Sequence, residues 1–293
     1  MTNNNNTYKI AVLGANGQLG QEFQHIASEY PELQFHFYGK NECSLSDKDQ
    51  MHEVIGSLQP DYVINAGAYT NVEKAEEEKD LNDLINHRGA GYLAAVCKEV
   101  GATLFHISTD YVFDGKKTTP YSESDDTHPL NQYGLAKRKG ELAIEKIGGN
   151  YFVLRTSWLY STFGHNFFKT MLKLSETRDQ LKVVNDQIAT PTYARTLARD
   201  INRMIIRLNT ENIPSGIFHY TQQGEASWFD FASEIMLLAE RNTKVEPCSS
   251  SEFPQVAERP AYSKLDTTKF ETQFFAVPHW KEALKNCIND LAQ

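Results

Sequence analysis

From Tyr8 onwards the chain alternates short apolar runs with longer amphipathic stretches. Lys9-Ile-Ala-Val-Leu13 reads as a buried strand, Gly14 to Gly20 as a turn, and Gln21 to Ser28 as the helix that follows. The unit then repeats. Phe35 to Tyr38 and Tyr62 to Asn65 read as strands, with Asp47 to Leu58 as an amphipathic helix between them and Asp80 to Val100 as a long helix after them. Thr103 to Ile107, Leu130 to Ile147 and Phe152 to Arg155 continue as strand, helix and strand. Strands joined by helical crossovers of this length run parallel, because a right-handed connection returns each one to the same edge. The pattern therefore predicts a doubly wound parallel α/β sheet. Past about residue 157 the rhythm loosens, with an amphipathic helix at Trp228 to Arg241 and a proline-bearing stretch from Phe253 to Pro260. No internal repeat is visible.

The first turn, Gly14-Ala-Asn-Gly17-Gln-Leu-Gly20, lies between a strand and a helix, the context in which glycines let a backbone approach a pyrophosphate. Free amides at the helix N-terminus then face its charge. The expected architecture thus becomes Rossmann-type. Residues 1–157 with about 180–222 are the expected dinucleotide-binding domain, and 158–179 with 223–293 the smaller, mostly C-terminal substrate-binding lobe. An acid after the second strand normally accepts the ribose hydroxyls of NAD. Here the strand ends in Tyr38-Gly-Lys40, which favours a 2′-phosphate and hence NADPH, with NADH possible. Lys40 is equally open to a reading as a solvated surface charge.

The chemistry centres on Tyr133 and Lys137 in Pro129-Leu-Asn-Gln-Tyr-Gly-Leu-Ala-Lys137, where a spacing of four puts both side chains on one helix face. A fixed ammonium near a phenol stabilises the phenolate, and a tuned tyrosine can move protons at neutral pH. The strand Thr103 to Ile107 runs into Ser108-Thr109-Asp110-Tyr111, and ligands bind outside the carboxyl ends of parallel strands. The Thr109 hydroxyl there suits hydrogen bonding to a substrate carbonyl oxygen as charge develops on it. Asp110 is open to a structural or a substrate-binding role. Asn65-Ala-Gly-Ala68-Tyr-Thr70, similarly placed, supplies small residues that leave room for a cofactor.

Composition removes other classes. A net charge of −9 without a cluster of Lys and Arg argues against nucleic acid or an anionic membrane as partner. Four scattered cysteines with no CxxC pair give no metal framework and suit a reducing compartment. The start, Met1 to Thr7, has neither a basic flank nor an apolar core and reads as a short frayed segment, so a cytoplasmic protein is expected.

Taken together, the glycine loop, the Asn65 strand end, Ser108-Thr109-Asp110 and Tyr133xxxLys137 resemble an extended short-chain dehydrogenase/reductase, with Thr109 at the usual serine position. The runs Ser108 to Phe113, Arg155 to Tyr160, Asn185 to Thr192 and Arg259 to Ser263 are similar to those of the dTDP-4-dehydrorhamnose reductase family. That resemblance implies NAD(P)H-dependent reduction of the C4 ketone of dTDP-4-dehydro-L-rhamnose. It implies Tyr133 as proton donor, Lys137 on the nicotinamide ribose, and Thr109 polarising the ketone. Gly14, Asn16, Gly17, Gln18, Leu19, Gly20, Lys40, Ala66, Gly67, Ala68 and Thr70 become the candidate cofactor contacts. Thr109, Asp110, Trp158 and Arg259 become the candidate substrate contacts, Arg259 as a diphosphate ligand or else a surface salt bridge. Asn86 matches the family's helix asparagine or is a helix-packing residue.

Two departures stand out. Ser44-Leu45-Ser46 replaces a frequent Asp after the second strand, which leaves the adenosine contacts open. Arg195 stands where some relatives carry an acidic ligand to a bridging magnesium, so a monomer or a homodimer without metal is expected. Dehydratases of this fold place a Glu after the Thr-Asp pair, but here Tyr111 follows. The alternatives left are a reductase or epimerase of another nucleotide-linked 4-keto-6-deoxy sugar, or a non-catalytic NADP-binding regulatory subunit.

Overall fold

The computed structural model describes residues 7–253 and 255–291, so the expected frayed start at Met1 to Asn6 and Pro254 of the proline-bearing stretch lie outside the described residues. Six strands form one sheet. In chain order they are β1 (Tyr8–Leu13), β2 (Leu33–Tyr38), β3 (Tyr62–Asn65), β4 (Thr103–Thr109), β5 (Tyr151–Thr156) and β6 (Gly216–His219). Their spatial order is β6-β5-β4-β3-β1-β2, and every neighbouring pair is parallel. The order reverses between β1 and β3, which is where a doubly wound sheet opens a crevice at its carboxyl edge.

Alternation along the strands builds two cores. Ile10, Val12, Ile64, Phe105, Leu154 and Phe218 face one side, against Leu19, Phe23 and Ile26 of helix Gln18–Ile26 and the apolar stripe of helix Ala194–Leu208. Ala11, Leu13, Val63, Leu104 and Val153 face the other, against helices Lys48–Leu58, Gly89–Val100 and Gln132–Ile147. A third cluster, around Tyr160, Phe168, Tyr193, Phe231, Trp280 and Leu284, lies in the second half of the chain. From the C-terminal part, Phe270, Phe274 and Val277 return to the first sheet face.

Three differences from the periodicity have local causes. The first helix begins at Gln18, inside the expected turn, because Leu19 already belongs to the buried stripe. The Tyr133 helix begins at Gln132, because the Asn131 side chain caps it by accepting from the Gly134 amide at 2.8 Å. The long helix is broken into Lys79–Asp83, a π-helical turn at Leu84–Arg88, and Gly89–Val100. At that turn the Asn86 side chain clamps the backbone of Tyr69, accepting from its N–H at 3.0 Å and donating to its carbonyl at 2.8 Å.

The Tyr133 helix is tied to the sheet by a buried ion pair. Arg155 on β5 donates from Nε and Nη2 to the two Glu141 carboxylate oxygens at 2.9 and 2.8 Å, and Ser108 on β4 adds a third bond at 2.5 Å.

Candidate active site

A cavity of about 720 Å³ lies along the carboxyl ends of β1 and β3, within the usual range for a ligand site. Gly14, Asn16, Gly17, Gln18 and Leu19 line it from the first turn. Lys40, Ala66, Gly67, Ala68 and Thr70 line it from the next strand ends. Gly20 stands behind the loop. Gly17 caps the first helix with no side-chain hydrogen bond, so the opening amides of that helix are left for an anion.

Backbone closeness explains the glycines. Gly14 has φ of +80°, and a Cβ there would lie 2.5 Å from the Gly67 amide nitrogen. A Cβ on Gly20 would overlap the Gly14 carbonyl and the Ala15 backbone. Gly20→Ala is therefore expected to push the helix off the loop and weaken dinucleotide binding at least about tenfold, a loss of roughly 1.4 kcal/mol. A fluorescence titration with NADPH checks this, and unchanged affinity would show that the loop yields without cost.

No carboxylate from the end of β2 lines the cavity, whereas Lys40 does, exposed and available to a 2′-phosphate. Ser44 and Leu45, which stand where an Asp was expected from the resemblance, line the same region. Several lining residues escaped the motif reading. Lys74, Glu78, Leu81 and Ile85 also line the cavity, but a turn separates the short helix Val72–Ala75 from Lys79–Asp83, so no single helical period links them. Gly164 and His165 close the far side, where Asn166 donates to the Gln18 side chain at 2.8 Å.

Beyond the cavity the candidate reactive groups converge. Ile107 lines it, and Thr109 projects from the same face of β4 one step further along. Thr109 lies near enough to the Tyr133 phenol to favour its charged form, and it donates to Asp110 Oδ1 at 3.2 Å. The Tyr111 ring meets Tyr133 edge to face at 6.0 Å. Ser263, from the C-terminal part, donates to Asp110 Oδ2 at 2.5 Å. Burial pushes the Asp110 carboxyl up to about 7 in spite of both hydrogen bonds, so its neutral form is populated below that pH.

Lys137 does not point as its spacing suggests. Its Nζ donates to the Ile107 carbonyl at 2.5 Å and lies 3.2 Å from His106 Nε2, with the whole side chain buried. Burial pushes the Tyr133 phenol up to about 12, a shift opposed by Thr109, whereas a lowering by Lys137 was expected. Burial also brings Lys137 down to about 8, against a smaller raising by Glu141. In this geometry desolvation is the largest influence on both groups.

Among the candidate substrate contacts, Trp158 adopts φ of +47° and stacks on Trp228 with centroids 3.6 Å apart and planes at 9°. A left-handed tryptophan costs roughly 1–3 kcal/mol, and such strain collects at functional sites. Trp228 carried no signal in the sequence beyond opening a helix. Arg259 is ion-paired with Glu73 at 3.1 Å, while its buried Nε has no hydrogen-bond partner among the described residues. Glu73 also accepts from the Val256 and Ala257 amides, so it fastens this stretch to the short helix Val72–Ala75. Arg195 is taken up by Glu22 at 2.7 Å and Asp290 at 3.0 Å.

Known proteins share this sequence and fold. The family model described as the RmlD substrate binding domain matches residues 8–293. A dTDP-4-dehydrorhamnose reductase from Burkholderia thailandensis is 36% identical, over 97% of this chain and 99% of its own length. A crystal structure of a dTDP-4-dehydrorhamnose reductase from Clostridium acetobutylicum superposes with a TM-score of 0.92 at 40% identity, covering 97% of this chain and 100% of that one. The corresponding protein from Bacillus anthracis, crystallised in complex with NADP, also reaches 0.92, at 36% identity over 97% and 99% of the two chains. With the match running the full length of sequence and fold, the chain belongs to the dTDP-4-dehydrorhamnose reductase family.

Proposed function

We propose that this chain catalyses the NAD(P)H-dependent reduction of the C4 ketone of dTDP-4-dehydro-L-rhamnose to dTDP-L-rhamnose, with NADPH as the preferred reductant. The observation that carries the reading is the meeting of Thr109, Asp110 and Tyr133 one strand step beyond the lined cavity. When bound, the reduced nicotinamide supplies a hydride to C4. The residues of the chain do the rest. Thr109 hydrogen-bonds the ketone oxygen, and Tyr133 gives its proton to that oxygen as it gains the electron pair of the former C=O double bond. A phenol raised to about 12 stays protonated at neutral pH, yet an alkoxide is basic enough to take its proton. Lys137, once charged, stabilises the phenolate left behind and binds the ribose hydroxyls.

Substrate contacts follow from the second half of the chain. The Trp158 and Trp228 stack offers an apolar face for the deoxysugar, and the unpartnered Nε leaves Arg259 able to take a diphosphate oxygen while keeping Glu73. Residues 158–179 and 223–293 serve as the substrate-binding lobe in this reading. Arg195, neutralised by two carboxylates, supports a monomer or a homodimer without a bridging metal. No helix among the described residues is long and apolar enough to cross a membrane. A cytoplasmic setting belongs to the same reading, supported by four buried, unpaired cysteines.

The test is a coupled assay in which NADPH oxidation is followed with dTDP-, GDP- and UDP-linked 4-keto-6-deoxy sugars. The expected result is turnover with dTDP-4-dehydrorhamnose at least about tenfold more efficient in kcat/KM than with the others. Equal turnover of all three would make the chain a broader keto-sugar reductase. NADPH binding with no turnover of any sugar would favour a regulatory subunit.

A further inference from the structure

Behind the site, three buried side chains form a line from the cofactor loop to Lys137. The Gly67 amide donates to Asn65 Oδ1 at 3.2 Å, Asn65 Nδ2 lies 3.0 Å from His106 Nδ1, and His106 Nε2 lies 3.2 Å from Lys137 Nζ. Asn65, His106 and Lys137 are each 1% exposed, so solvent cannot relieve a mismatch between them.

Counting protons along this line gives one consistent assignment. A backbone N–H only donates, so Gly67 fixes the Asn65 oxygen on its side and turns the amide nitrogen towards His106. That nitrogen only donates as well, so His106 Nδ1 must accept and carries no proton. Burial and the neighbouring lysine hold His106 well below the usual imidazole range, which excludes the doubly protonated ring. Its single proton therefore sits on Nε2 and points at Lys137. An ammonium has no lone pair to receive it, whereas a neutral amine accepts it and still donates to the Ile107 carbonyl.

We propose that Asn65 and His106 are a positioning pair that presents an N–H donor to Lys137, making the lysine surrender its ammonium proton more readily than burial alone would dictate. The proposal rests on the reductase reading only for the use made of Lys137. The other groups around the lysine do not account for the effect. Tyr133 and Glu141 share its helix, and Glu141 is engaged by Arg155 and Ser108 and acts to raise Lys137. From the neighbouring helical segment, Asp83 pairs with His87 and Arg88. The ammonium fraction falls as pH rises through the lysine's own value, so the alkaline limb of turnover belongs to Lys137.

The test is a carbon-13 titration of the Lys137 side chain in the protein alone, its resonance assigned by its loss in Lys137→Met. Asn65→Asp keeps an acceptor for the Gly67 amide but cannot donate to His106, so the imidazole proton moves to Nδ1 and Nε2 becomes an acceptor for an ammonium. The Lys137 titration should then rise by about one pH unit, a tenfold change in the protonation constant. In a His106→Leu background the same Asn65→Asp change should move it by less than about a third of that. Equal shifts in both backgrounds would mean that the new charge acts directly, and would overturn the proposal. If Asn65→Asp does not fold, His106→Leu decides alone, with a rise expected and a fall or no change overturning the idea. The alkaline limb of kcat should move with the titration. A correct titration in a protein that reduces no keto sugar would sink the reductase reading and leave this inference standing.

Discussion

Replacing Tyr133 by phenylalanine is expected to lower kcat by roughly a thousandfold, in the middle of the range usual for a lost general acid. The ring edge against Tyr111 is kept, so the helix start and the cofactor cavity should be undisturbed and NADPH should bind as before. What disappears is the one phenolic proton beside Thr109. Hydride arrival would then leave an alkoxide with only the Thr109 hydroxyl to stabilise it, and Thr109 already shares its proton with Asp110. Steady-state kinetics together with a fluorescence binding titration measure the two halves separately. Full turnover in Tyr133→Phe would remove the residue from the mechanism, and loss of NADPH binding would point to a structural role instead.

Truncating Glu141 to alanine should cost about 3–5 kcal/mol of folding stability, because it strands a buried guanidinium. Arg155 and Glu141 are both essentially inaccessible, and the Arg155 head would keep His219 Nε2 at 3.3 Å and the Phe113 ring at 5.2 Å but no carboxylate. A paired charge in the interior is tolerated through its partner, and an unpaired one is not. Urea denaturation followed by circular dichroism gives the loss directly. The double replacement Glu141→Leu with Arg155→Met should recover much of it, since removing both charges removes the desolvation penalty too. A loss below about 1 kcal/mol in the single variant would mean that the pair does not anchor the Tyr133 helix to β4 and β5. Activity should fall with stability in Glu141→Ala, because the same helix carries Tyr133 and Lys137.

Much of the frame was legible before any coordinates. The strand at Tyr62–Asn65 falls where the apolar run places it, and the glycine loop opens the first helix as its context requires. Both depend on neighbours within a few residues. The strand Gly216–His219 had no comparable signal, since Gly216-Ile-Phe-His219 holds only two apolar residues beside a glycine that strands disfavour. The π-helical turn at Leu84–Arg88 was hidden too, for helical periodicity runs through it and the extra residue is revealed by the backbone, where the Gly89 amide bonds back to the Leu84 carbonyl.

The amino-acid sequence by itself determined the alternation of strand and helix, hence a parallel sheet with its ligand edge, and it placed a phenol and an amine on one helix face. These follow from steric and burial rules that act over a turn or a strand. Only the tertiary structure decided what those groups meet. Lys137 turns to Ile107 and His106 on β4, Asp110 receives Ser263 from 153 residues away, Trp158 stacks on Trp228, and Arg259 finds Glu73 across 186 residues. Side chains so distant along the chain are brought together by packing, and the charge each one carries is set by the desolvation and partners it finds there.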